Sequence, residues 1–146
     1  MTSSLFGQQV DYKVNGGQTN IYNDAIMHYI DSVYNDKSTF DTLFILKNDE
    51  LTENIIQSVY KKINISFQDS LNISKRLKYH KTLTALNIFS DQNSGKDHIK
   101  MLIISFIISK DKGKSNYKPF ENCTVRYIFN HSKKEFEFHK IVCDKY

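Results

Sequence analysis

Residues 123–129, CTVRYIF, and residues 136–142, FEFHKIV, decide the fold of this chain. In the first run Cys123, Val125, Tyr127 and Phe129 alternate with Thr124, Arg126 and Ile128, and in the second Phe136, Phe138 and Val142 share one strand face. A period of two marks a half-buried strand, and two such runs separated by His131 to Lys134 form an antiparallel hairpin. Burying both apolar sets together pairs Phe129 with Phe136 and Cys123 with Val142. In that register Cys143 points away from Cys123, and a bond between them needs a bulge or a one-residue slip. Two separate thiols are therefore expected.

Upstream of the hairpin, Thr82 to Phe89 and Ile99 to Ser109 flank a loop of turn residues, Ser90 to Lys96, and predict a second hairpin. Both faces of its later strand are apolar, Met101, Ile103 and Ile107 on one and Leu102, Ile104, Phe106 and Ile108 on the other. Such a strand sits centrally in a sheet that is covered on both sides. Tyr22, Ala25, Ile26, Tyr29, Ile30 and Val33 recur at helical spacing and predict a helix over Ile21 to Tyr34, with Asn20 as its N-cap. Phe40 to Leu46 reads as a buried strand, Leu51 to Tyr60 as a second helix, and Ile63, Ile65 and Phe67 as a half-buried strand. Asp69 to Lys81 fits neither period and reads as a connecting segment. Val10 to Thr19, with the Gly16-Gly17 pair, reads as an entry loop or short strand.

The order predicts an α+β fold, a curved and mainly antiparallel sheet of about five to six strands packed on an N-terminal helix. In element order this resembles cystatin-like and NTF2-like folds, and fold alone does not fix function. One unit over 1–146 is expected, because no repeat or low-complexity linker interrupts the pattern. A chain of 146 residues with 40% hydrophobic and 25% charged residues is globular in composition. The net charge of +4 from twenty basic and sixteen acidic residues falls short of the basic stripe of a nucleic-acid binder, so no nucleic-acid partner is expected. The longest apolar run, Met101 to Ile108, falls short of the roughly 20 residues that span a bilayer. Thr2 to Gln9 is small and weakly apolar, similar in style to the leader ends of small exported bacterial proteins. Residues 1–19 are thus read as flexible or as a signal-peptide remnant, with export to the periplasm or medium favoured over a cytoplasmic location.

The residues that could carry chemistry are few. Asp24, His28 and Asp31, at i, i+4 and i+7, could hold a divalent cation, but the helical wheel turns this stripe away from the apolar face and into water. His80, His98, His131 and His139 lack metal-binding spacing, and neither a nucleophile elbow nor a phosphate loop is present. No metal or cofactor is expected. The basic run Lys75, Arg76, Lys78 and Lys81, with His80 among them, is the polar candidate for an anion or an acidic partner. These features point to a non-enzymatic interaction domain that holds another protein through sheet surface or basic loops. The rival is a small-molecule or enzymatic pocket inside the cone of the sheet, lined by rings such as Phe44, Phe67, Phe89 and Phe106. Rings at strand spacing more often fill a core.

Overall fold

The structure, a computed structural model, describes residues 13–14, 19–33, 42–49, 51, 56–91 and 95–146. The leader-like segment 2–9, the Gly16-Gly17 pair and the expected turn at 36–39 lie outside these. The elements in chain order are β1 (Lys13–Val14), β2 (Thr19–Asn20), α1 (Ile21–Val33), β3 (Thr42–Leu46), β4 (Val59–Tyr60), β5 (Ile63–Gln68), α2 (Ser70–Arg76), β6 (Thr82–Asp91), β7 (His98–Asp111), β8 (Lys114–Asn130) and β9 (Glu135–Lys145). All the strands join one curled sheet in the order β2-β1-β9-β8-β7-β6-β3-β5-β4. With nine strands among the described residues, three of them two residues long, the sheet is larger than the five to six expected. It is also mixed, since β3 runs parallel to both β5 and β6, and β1 parallel to β9.

The apolar character of both faces of β7 has a direct structural reading. Ile99, Met101 and Ile103 join Leu86 and Ile88 of β6 in the larger core, under Ile21, Tyr22, Ile26 and Ile30 of α1. Ile108 instead joins Leu83 and Ala85 in a second core, on the opposite face, under Ile73 and Leu77. The β6–β7 register is continuous from Thr82↔Ser109 to Asp91↔Lys100, so strict alternation assigns these two sets to opposite faces. α1 thus covers one face at one end of the long strands, and α2 the other face at the other end. A bulge at Phe120, where Ser105 faces Glu121 and Phe106 faces Pro119, falls where the cover changes sides.

Two helical expectations need correcting. Leu51 forms a bridge with Asn48, and Val59–Tyr60 pairs with Ile63 and Asn64, so the helix expected over 51–60 is not formed at its described ends. Leu51 and Ile56 are both buried in the α1 core. The connection between Tyr60 and Ile63 is a two-residue turn in which Lys61 and Lys62 both have positive φ, 48° and 67°. The second helix lies instead at Ser70–Arg76, within the stretch expected to be a connection. Asp69 caps it, accepting the Asn72 N–H at 2.8 Å, and Ile73 and Leu77, one turn apart, bury its inner side.

The closing hairpin forms around residues 131–134 with Phe129 opposite Phe136, as the alternation requires. The register then shifts: Tyr127 faces Phe138, but Arg126 faces Lys140, which leaves His139 as an extra residue in β9. Beyond it every side chain of β9 is turned over relative to strict alternation. Ile141 packs on the α1 core, Val142 is 45% exposed, and Cys143 lies opposite Cys123. The two cysteines form a disulfide across a Cα–Cα distance of 4.0 Å, which overturns the expectation of separate thiols. The core prefers Ile141 to Val142 inward, and a one-residue bulge satisfies both ends of the hairpin.

Two outcomes follow for stability. Ile103→Ala, in the middle of the central strand and fully buried, is expected to cost about 2–5 kcal/mol in urea unfolding; a loss under ~1 kcal/mol would argue against the packing described. Cys143→Ser, opening a bridge between residues 20 apart, is expected to cost about 3 kcal/mol. Dithiothreitol should lower the urea midpoint of the wild type to that of the variant, and an unchanged midpoint would contradict the bond.

Candidate functional site

The strand registers set side chains abreast on the face of the sheet that bears α2. On this face Phe89, Leu102, Thr124 and Val142 form one row across β6, β7, β8 and β9. Next to it, Asp91, Lys100, Arg126 and Lys140 form a second. Phe89, Leu102 and Thr124 are half-buried and Val142 is exposed, so the first row is an apolar strip at the surface. Its neighbour places three cations on adjacent strands, with Asp91 supplying one counter-charge opposite Lys100. Like charges directly opposite one another destabilise a sheet, so the row is unfavourable on its own.

At this row the bulge residue His139 and the strand-start His98 join Lys100, Arg126 and Lys140 around a groove of about 340 Å³. Arg126 lines the groove, and its Nε–H is buried with no hydrogen-bond partner among the described residues. The groove lies on the outer face. The space between the sheet and α1, where a cone-shaped fold would hold a ligand, is filled by Ile21, Tyr22, Ile26 and Ile30, which are almost entirely buried.

The inner face carries a second polar cluster, and here the helical wheel misleads. Asp24 is not in water: it is 2% exposed, and its Oδ2 accepts the Tyr127 O–H at 2.7 Å. His28 Nε2 lies 3.3 Å from the same oxygen, and the imidazole stacks on the Phe138 ring at 3.6 Å. The β8–β9 hairpin packs beside that flank of α1 and dries it. Asp31, the third member of the stripe, goes elsewhere, to Lys61 Nζ at 2.6 Å and to the Tyr60 hydroxyl at 3.1 Å. Burial, and then the Asp31 carboxylate, raise the Tyr60 phenol above its ordinary range. The stripe is therefore divided between two partners, and no cluster of three or more metal-ligating residues forms among the described residues. With a phenol, an imidazole and a ring closed around one carboxylate, the arrangement fixes the helix to the sheet.

Lys75 and Arg76 lie in the last turn of α2, where the helix dipole favours cations. Arg76 Nε donates to Gln68 Oε1 at 3.0 Å, and its guanidinium lies 4.8 Å from the centre of the Phe44 ring. Lys75, Lys78 and Lys81 are exposed around the helix end. Sequence reasoning found this cluster and missed the outer row. The one signal available for that row was that Lys100, Arg126 and Lys140 each stand beside an apolar strand position.

The inner cluster gives a pH-dependent prediction. Burial pushes the Tyr127 phenol far above its ordinary value of 10.0, and the nearby Asp24 charge raises it further. The folded state therefore holds this proton more tightly than the unfolded chain does. The resulting stability is complete below pH 10.0 and is lost as pH rises beyond it. Tyr127→Phe should cost about 1–3 kcal/mol at neutral pH by removing a donor from a buried carboxylate. Its stability should also fall less steeply than the wild type's in alkaline urea titrations; parallel curves would contradict this assignment.

Comparison with known proteins adds no relative: no family model matches the chain, nor does any curated protein or solved structure.

Proposed function

We propose that this chain is a non-enzymatic interaction domain that holds another protein on the outer face of its sheet. The supporting observation is the pairing of two rows, apolar Phe89–Leu102–Thr124–Val142 beside cationic Lys100–Arg126–Lys140. A partner presenting an acidic strip beside an apolar one complements both rows, desolvating the first and neutralising the second. α2 stands on the same face, with Leu71 62% exposed and Tyr79 86% exposed among Lys75, Arg76, Lys78 and Lys81. An exposed tyrosine among cations suits the rim of such an interface. The disulfide favours an oxidising compartment and so supports export of a bacterial protein.

A second reading, a ligand pocket in a cystatin-like or NTF2-like cone, has the helix-on-curved-sheet order in its favour. The filled space under α1 weighs against a pocket there.

The partner reading is tested by capture from the native host with the tagged protein and with Val142→Asp, a change at an exposed position. An acidic protein should be retained by the wild type, released as salt rises, and bound at least about tenfold more weakly by the variant. Equal retention by both proteins would rule out the outer face as the docking surface.

A further inference from the structure

We infer that the groove formed by His98, Lys100, Arg126, His139 and Lys140 is a binding site for a phosphate dianion, either free phosphate or the head of a phosphomonoester. Three arguments converge on that chemistry. The first is charge. Lys100, Arg126 and Lys140 lie abreast on neighbouring strands, with Asp91 opposite Lys100, so the row carries a surplus of two positive charges. A dianion cancels that surplus, whereas a carboxylate leaves one charge over and the cross-strand repulsion partly unrelieved.

The second argument is the buried Arg126 Nε–H. A buried donor left without a partner is costly, and among the described residues this one has none. Because Arg126 lines the groove, a turn of its side chain toward a bound oxyanion supplies the missing acceptor. The planar guanidinium can donate two parallel hydrogen bonds to two oxygens of a phosphate and leave the third for the neighbouring ammonium groups. The third argument is shape. The groove, at about 340 Å³, is of the size that takes a small ligand, and the inserted residue His139 lies on its rim because β9 bulges there. The imidazoles of His98 and His139 add donors around the same space.

The inference shares a face with the partner reading and does not depend on it, because the phosphate arrives either free or carried on another molecule. The test titrates the ¹⁵N-labelled full chain with inorganic phosphate, with phosphoserine, and with acetate at matched ionic strength. The readouts are the Arg126 Nε–H signal and the backbone amides of Lys100, Tyr127 and Lys140. Phosphate should shift these saturably with a millimolar dissociation constant, and acetate should not. Lys140→Ala, at an exposed position, and Arg126→Lys, which keeps the charge and loses the fork, should each weaken phosphate binding about tenfold. Lys78→Ala, in the turn that follows α2, should leave it unchanged. Tighter binding of phosphoserine assigns the site to a monoester, and tighter binding of inorganic phosphate assigns it to the free anion. No saturable shift, the same shift with acetate, or wild-type affinity in both groove variants would overturn the inference. Val142→Ser, which strips the apolar row without adding a charge, should weaken partner capture and leave the phosphate titration unchanged, so the partner reading and the anion site can fail separately.

Discussion

One extra residue in one strand governs much of this molecule. If β9 kept strict alternation from Phe136 onward, Arg126 would stand opposite His139 and Cys123 opposite Val142. With His139 set aside as a bulge, Arg126 meets Lys140 and Cys123 meets Cys143. The same displacement turns Ile141 onto the α1 core and Val142 out into the apolar strip. The covalent clip, the row of cations and the surface strip are thus three results of one local departure from the pleat.

α1 is held by more than its apolar stripe. Asn20 caps it at Asn23, and Asn23 exchanges hydrogen bonds with Gln57 at 3.0 and 3.3 Å. Asp24 meets β8 through Tyr127, and the Tyr29 hydroxyl lies 3.1 Å from Ser105 Oγ of β7. Asp31 then reaches the turn between β4 and β5. Each contact fixes a different point along the helix to a different strand or turn, and together they set its axial position and rotation. Apolar burial is non-directional and supplies no such constraint. Because these groups are spent on one another, the inner face is built for fixation.

Where local pattern and tertiary packing agreed, the sequence was legible. The hairpin loop at 131–134, the Asn20 cap, the β6–β7 pair and the two apolar faces of β7 all follow from periodicity. The misses have separate physical causes. The apolar character of Leu51 and Ile56 reflects burial in the α1 core, and burial alone does not specify a helix. α2 is so short that its signal reduces to Ile73, Leu77 and the Asp69 cap, overlaid by a basic run. A helical wheel turns Asp24 toward water because it knows one cover, and the hairpin provides another. The outer row was illegible for a different reason: Lys100, Arg126 and Lys140 are distant in sequence, and only the register of three strands, bulge included, sets them side by side.

The clip also bears on how the sheet ends. Among the described residues β9 has a neighbouring strand on its far side only where Val14 pairs with Phe136. From His139 onward no described residue pairs with its far side, and an open strand edge invites another chain to add on. Here a bulge interrupts its hydrogen-bonding rhythm, Lys140, Asp144 and Lys145 charge it, and the bond to Cys123 prevents it from sliding or swapping out. Bulge, charge and clip together disfavour the addition of a further strand along this stretch of β9.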